Sequence, residues 1–175
     1  ITYFLKGPMI RTGIFYSYKS HKTKRIAEKI MELSGTGSLI PVDADNVREE
    51  DFLKFDLLIL GVPTWFDGEL PSYWDEFVPD LKDIDLHGKK FAIFGLADQV
   101  GYPENFGDAV GIMARLLTDC GAENVGETSA EGYTFESSRA FQNGKFQGLI
   151  IDQENQAGLT EGRLISWVEQ LKKYF

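Results

Sequence analysis

Apolar and polar positions follow two alternating periods along this chain. Ile10–Tyr16 is largely apolar. A helical pattern follows, with Ile26, Ala27 and Ile30 on one side and Lys24, Arg25, Glu28 and Lys29 on the other. That order predicts a buried strand, a short loop and an amphipathic helix over about Lys22–Leu33. Ser34–Ser38 reads as a turn, and Leu39–Val42 as a short strand whose Pro41 favours an edge. Val47–Leu53 predicts a brief helix capped by Asp45 or Asn46. Phe55–Gly61 and Lys90–Gly95 are close to continuously apolar, as central parallel strands covered on both faces are. Further helices are expected over Ser72–Leu81, Phe106–Cys120 and Leu159–Phe175, the last capped by Gly158 or Thr160. A final strand begins near Asn124–Gly126, breaks off through Glu127–Gln147, and resumes over Gln147–Ile151. The interruption reads as an insertion.

Strands alternating with helices predict an α/β fold: a doubly wound, five-stranded parallel sheet flanked by helices, with the insertion in its last strand. Ligands of such sheets bind outside the carboxyl ends of the strands. Three polar loops each follow a strand, Ser17–Thr23, Pro63–Leu70 and Leu96–Asn105, so all three are expected on one edge.

Composition narrows the partners. The 175 residues carry a formal net charge of -9, which argues against nucleic acid and suits basic protein partners or simple solubility. The single cysteine, Cys120, excludes an intrachain disulfide and a zinc cage, fits a reducing cytoplasm, and reads as a buried inert thiol. His21 and His87 lack metal-ligand spacing, and no apolar run reaches the ~20 residues a membrane span needs. Residues 9–175 read as a single domain. Ile1–Pro8 lack a cleavable signal pattern and are read as foreign to it, ahead of a plausible start at Met9.

The loops supply the chemistry. Ser17, Tyr18, Lys19, Ser20, His21, Lys22 and Thr23 offer hydroxyls, cations and helix-terminal N–H groups, a combination that favours a phosphate. A capped helix with solvated lysines is the plainer alternative. The Walker and dinucleotide glycine patterns are absent, and no glycine lies between Tyr16 and Ile30. Trp65, Phe66 and Tyr102 are aromatics on the other two loops, where they either stack on a flat ring or pack over the sheet end. Gly68 permits close backbone approach and peptide reorientation.

These strings resemble the long-chain flavodoxins, most densely in Pro63–Leu70, Phe94–Phe106, Gly144–Gly148 and Asp152–Gln156. The resemblance implies a flavodoxin-like fold, one non-covalent FMN, and a low-potential one-electron carrier rather than a turnover enzyme. It implies a phosphate loop over Tyr18–Thr23 and Ser17, and an isoalloxazine flanked by Pro63, Thr64 and Trp65 on one face and Tyr102 on the other. Phe66, Asp67 and Gly68 match the segment that meets the flavin N5 and turns on reduction. Asp98 and Tyr102 match the second flavin loop, to which Leu96 and Ala97 also belong, Ala97 near the pyrimidine end, while Asn105 and Asp152 match positions near the ring edge and the ribityl chain. The sequence departs from the family's usual Thr-x-Thr-Gly-x-Thr. His21 stands in place of glycine, where a positive φ would be strained, and Tyr18 replaces a small hydroxyl residue. Ala97 stands where glycine is usual, and Asp67 sets a carboxylate near N5. Implied partners are redox proteins, a reductase and electron acceptors, met by a monomer through an acidic surface around the flavin edge. The rivals are a module with weakened or lost FMN binding and an FMN-dependent quinone or NAD(P)H reductase.

Overall fold

Parallel pairing is what long apolar runs with helical connections require, and the sheet has it throughout. The structure, a computed structural model, describes residues 10–175, so the expectation for Ile1–Pro8 lies outside the described residues. The strands are β1 (Thr12–Tyr16), β2 (Ile40–Asp43), β3 (Leu57–Gly61), β4 (Lys90–Leu96), β5 (Glu123–Asn124), β6 (Phe141–Gln142), β7 (Lys145–Phe146) and β8 (Leu149–Ile151). The helices are α1 (His21–Ser34), α2 (Glu49–Leu53), α3 (Ser72–Asp75), α4 (Val78–Leu81), α5 (Asp108–Asp119), α6 (Gln153–Gln156) and α7 (Thr160–Leu171).

The main sheet runs β2-β1-β3-β4-β5, all parallel, and β8 also pairs with β4. β5 meets the start of β4, with Lys90 opposite Glu123, and β8 meets its end, with Phe94 opposite Leu149. The fifth strand is therefore two segments with the insertion between them, as the sequence predicts.

Alternation along the strands divides the core. Phe15, Leu58, Leu60, Phe91 and Ile93 pack with Phe52, Trp74, Phe77, Val110 and Met113. Ile14, Tyr16, Ile59, Ala92 and Phe94 pack with Ile26, Ile30, Leu164, Trp167 and Val168. Both faces are covered, and each large apolar side chain so buried stabilises the fold by about 1.5–3 kcal/mol.

Several expected boundaries move. The helix over Ser72–Leu81 is two short helices broken at Glu76–Phe77, because Pro79 has no N–H to continue the ladder to the Asp75 carbonyl and instead sits in the first turn of α4. Asp45 and Asn46 do not cap α2. They lie in a 3-10 turn capped by Asp43, and Arg48 precedes α2, donating its N–H to Asp51 Oδ2 at 2.9 Å. Neither Gly158 nor Thr160 caps α7, since a 3-10 turn over Ala157–Leu159 runs directly into it. The insertion carries its own antiparallel hairpin, β6–β7, turned by Asn143 and Gly144 at φ 52 and 79.

Candidate functional site

Because every main strand is parallel, the segments after β1, β2, β3, β4 and β8 gather on one edge. The first is Ser17–Ser20, leading into α1. Its residues need no left-handed backbone: among described non-glycine residues only Phe66 and Asn143 have positive φ. The strain expected at His21 is therefore absent, because His21 opens the helix instead of forming the turn.

A set of internal acceptors closes that turn. Tyr18 N–H donates to Asp43 Oδ1 at 3.3 Å, Lys19 N–H to Ser17 Oγ at 3.3 Å, and Ser20 N–H to the Ser17 carbonyl at 3.3 Å. The Ser17 hydroxyl itself donates to Asp45 Oδ2 at 2.5 Å. Asp43 is held below the usual carboxylate range. Burial pushes it up, but N–H donors from Asp45 and Tyr18 and the Asn46 amide outweigh that. The Tyr18 phenol is raised by burial and then by Asp43, so it stays neutral.

What remains open lies one turn on. The first-turn amides of His21, Lys22 and Thr23 have no intrahelical acceptor by helix geometry. Ser20 at the helix N-cap makes no side-chain capping bond. Thr23 is 1% exposed, and its Oγ1 is buried without a hydrogen-bond partner. Gly61 explains that burial: a Cβ there would lie 3.0 Å from Thr23 Cγ2, so glycine lets α1 sit close against β3. Of the two nearby lysines, Lys22 is paired with Glu154 at 2.6 Å, whereas Lys19 has no carboxylate within ion-pair reach among the described residues.

The loop after β3 folds back on itself. Trp65 and Glu69 exchange N–H to O bonds of 2.9 and 2.8 Å around Phe66, Asp67 and Gly68. Phe66 sits at φ 39 and Gly68 at φ 87, two left-handed positions in one turn. Gly68 is packed so tightly that a Cβ would meet Asp108 Oδ2 at 2.8 Å and the Asn105 Cβ at 3.1 Å. Asp67 is exposed, Pro63 is buried, and Thr64 Oγ1 accepts the Ala109 N–H at 3.3 Å. Trp65 is 39% and Phe66 72% exposed.

The loop after β4 is wound around Asp98. Its Oδ1 accepts from Val100 N–H at 3.0 Å, Gly101 N–H at 2.8 Å and Asn155 Nδ2 at 2.7 Å. The Gly101 bond above all holds this carboxyl below its usual range. Tyr102, 45% exposed, stands at the tip, and Asn105 Oδ1 is buried without a partner. Leu96 is the last residue of β4, and Ala97 N–H donates to the Ile151 carbonyl at 3.0 Å. Asp152 is 0% exposed. It takes the Gln99 N–H at 3.1 Å and caps α6 through the Asn155 N–H at 3.1 Å.

The insertion supports the same edge. Glu136 and Ser137 donate to the Pro103 carbonyl at 2.8 and 3.0 Å, and Thr134 N–H donates to Gln99 Oε1 at 2.6 Å. The Tyr133 phenol donates to the Ile150 carbonyl at 2.5 Å and is pushed up to about 12 by burial.

The edge thus presents an uncapped helix N-terminus beside two exposed rings on separate loops, a chemistry that fits a phosphate joined to a planar group. Asp43, Asp45 and Asn155 also shape it and were not anticipated as site residues. Their signal was position at the carboxyl ends of strands: Asp43 ends β2, Asp45 follows it, and Asn155 lies in the helix after β8. Elsewhere, Cys120 is buried with its thiol against the Leu81 carbonyl at 3.2 Å, and burial raises its pKa. His87 pairs with Asp85 in an exposed turn. No group of side chains suited to a metal ion occurs among the described residues.

Comparison with known proteins agrees with this arrangement. The flavodoxin family model matches residues 14–167. The chain is 41% identical to the flavodoxin of a Nostoc species over 94% of its own length and 97% of the relative's. It is 42% identical to that of Synechococcus elongatus, over 95% and 99%. Among solved structures it is similar to a Fusobacterium nucleatum flavodoxin bound to flavin mononucleotide, with a TM-score of 0.89, 32% identity, and 95% and 99% coverage.

Proposed function

The chain belongs to the flavodoxin family, and from that premise we propose that the edge formed by Ser17–Thr23, Pro63–Gly68 and Leu96–Asn105 is its FMN site. The protein is an FMN-binding electron carrier, not a turnover enzyme, and it works between redox partner proteins. The observation that carries the site assignment is Thr23 Oγ1, a buried hydroxyl without a partner at the first turn of α1. An unmet polar group of this kind is costly unless a ligand completes it.

When bound, the flavin supplies reversible one-electron chemistry. The chain's residues bind and orient it. The amides of His21, Lys22 and Thr23, with the Ser20 and Thr23 hydroxyls, take the phosphate, and Lys19 adds charge. Trp65 and Tyr102, both exposed on their loops, would hold the ring between them. Phe66–Gly68 would meet its N5 edge, in a turn where Phe66 and Gly68, on either side of Asp67, both have positive φ. Asp67 there disfavours added negative charge on the ring by Coulomb repulsion. Asp98 and Asp152 act as positioning residues, one winding the Tyr102 loop and the other tying Gln99 to the end of β8. Asn105 Oδ1 is buried without a partner on the loop after β4, and Ala97, at the start of that loop, would lie near the pyrimidine end.

Exposed Asp67, Glu69, Glu104, Glu136 and Glu154 ring this edge and support docking of a basic reductase or acceptor by a monomer in the cytoplasm. No helix among the described residues is long and apolar enough to cross a membrane. The test is an anaerobic potentiometric titration of protein loaded with one equivalent of FMN. Two resolved one-electron waves, with no NAD(P)H oxidation by the chain alone, support the reading. A single two-electron wave with steady NAD(P)H turnover overturns it.

A further inference from the structure

The turn that leads into the phosphate-binding helix is fastened from behind by acids. Asp45 holds the Ser17 hydroxyl at 2.5 Å, Asp43 holds the Tyr18 amide at 3.3 Å, and Glu154 holds the Lys22 ammonium at 2.6 Å. With Lys19 and Ser20 N–H bonded inward to Ser17, every backbone donor from Tyr18 to Ser20 is engaged by the protein itself. What is left for an anion is the first-turn amides of α1, side-chain groups of the loop such as the Ser20 and Thr23 hydroxyls, and the Lys19 charge. Asp43 is held in its ionised form by its donors, and both it and Asp45 are only partly buried, on the segment packed directly against the loop.

We propose that Asp45, with Asp43, is a specificity-determining residue that weakens the loop's preference for a 5′-phosphate dianion, so that this chain distinguishes FMN from riboflavin less sharply than its own hydroxyls and amides would allow. The inference rests on the reading that Ser17–Thr23 takes the flavin phosphate. The physical reason is charge. A phosphate placed on the α1 terminus carries about -1.5 to -2 at neutral pH. It meets Asp45 across the Ser17 side chain and Asp43 across the Tyr18 amide, with a like-charge repulsion that partial burial leaves incompletely screened. Ser17 does not relieve this, because its proton is committed to Asp45 and its lone pair to the Lys19 amide. The carboxylates also stabilise the turn without a glycine, which accounts for a loop that tolerates His21 and yet gives up part of its anion affinity.

The measurement is the ratio of riboflavin to FMN dissociation constants, read by flavin fluorescence in low salt, for the wild type, Asp45→Asn, Asp43→Asn and Ser17→Ala. The Asn variants keep an acceptor for the turn and remove the charge. Asp45→Asn is expected to raise the ratio roughly three- to tenfold, with Asp43→Asn smaller in the same direction. Ser17→Ala, which loosens the turn but keeps both charges, is expected to leave the ratio unchanged or lower it. Inorganic phosphate should also protect the Asp45→Asn protein against thermal unfolding more than it protects the wild type. An Asp45→Asn ratio equal to or below that of the wild type overturns the proposal, as does a Ser17→Ala ratio that rises equally. A wild-type ratio of one instead overturns the assignment of the phosphate to this loop, so the two failures are distinguishable.

Discussion

Thr23 is the residue on which the site turns. Its buried, unpartnered hydroxyl costs the ligand-free protein stability, about 1–3 kcal/mol for such groups. Thr23→Val, of similar shape, is therefore expected to raise the melting temperature of the apoprotein while weakening FMN about tenfold or more and leaving riboflavin unaffected. Paired thermal melts and fluorescence titrations check this. Lys19 and Lys22 read from sequence as equivalent cations. Lys22 is an exposed partner of Glu154, and Lys19 is unpaired among the described residues. Lys19→Ala should therefore weaken FMN more than Lys22→Ala, with the difference shrinking as salt rises. Residue identity told the chemistry of this loop but not its geometry. A glycine-free turn looked strained at His21 because Asp43 and Asp45, which close the turn without positive φ, carried no sign of that role: Asp45 read as a helix cap and Asp43 was not singled out. Such long-range side-chain acceptors leave no local spacing to read.

At the scale of elements, the turn after β3 and the loop after β4 are held by different means. Gly68 combines φ 87 with a Cβ position 2.8 Å from Asp108 Oδ2, so Gly68→Ala should destabilise the protein by about 1–3 kcal/mol, read as a lower urea midpoint. The loop after β4 depends on the ionised Asp98, whose folded-state pKa is depressed chiefly by the Gly101 N–H. A depressed carboxyl contributes stability above its ordinary 3.8 and loses it as pH falls below that value. Asp98→Asn should therefore flatten the fall of melting temperature between neutral and strongly acid pH, and parallel curves would exclude this role. Asp108 has the opposite sign. Burial raises its pKa, so its contribution is lost as pH rises through the folded value. Long periodic elements were legible: β1, α1, β3, β4, α5 and α7 lie where the pattern put them to within a few residues. The insertion's hairpin was not, although Asn143-Gly144 between short apolar runs is a turn signal, because two-residue strands carry no periodicity. The break before Pro79 was missed by the single helix expected over Ser72–Leu81, although the proline itself was its signal.

At the scale of the molecule, parallel winding carries loops far apart in sequence to one edge, and this is why the fold could be read from strand–helix alternation alone. The net charge of -9, with exposed acids around the proposed flavin edge, supports the proposal that partner encounter is electrostatic. Electron transfer from a basic-surfaced reductase should slow by roughly tenfold between low and high salt, measured by stopped flow, whereas a salt-independent rate would place docking elsewhere. The central claim is that this edge binds FMN through the α1 terminus and two aromatic rings. Titration of FMN into the purified apoprotein tests it most directly. The account predicts saturable quenching of flavin fluorescence at one FMN per chain, with the Trp65→Ala, Tyr102→Ala double variant retaining most of the fluorescence it binds. Fluorescence that stays unquenched at excess FMN, with the protein remaining colourless after gel filtration, would contradict it.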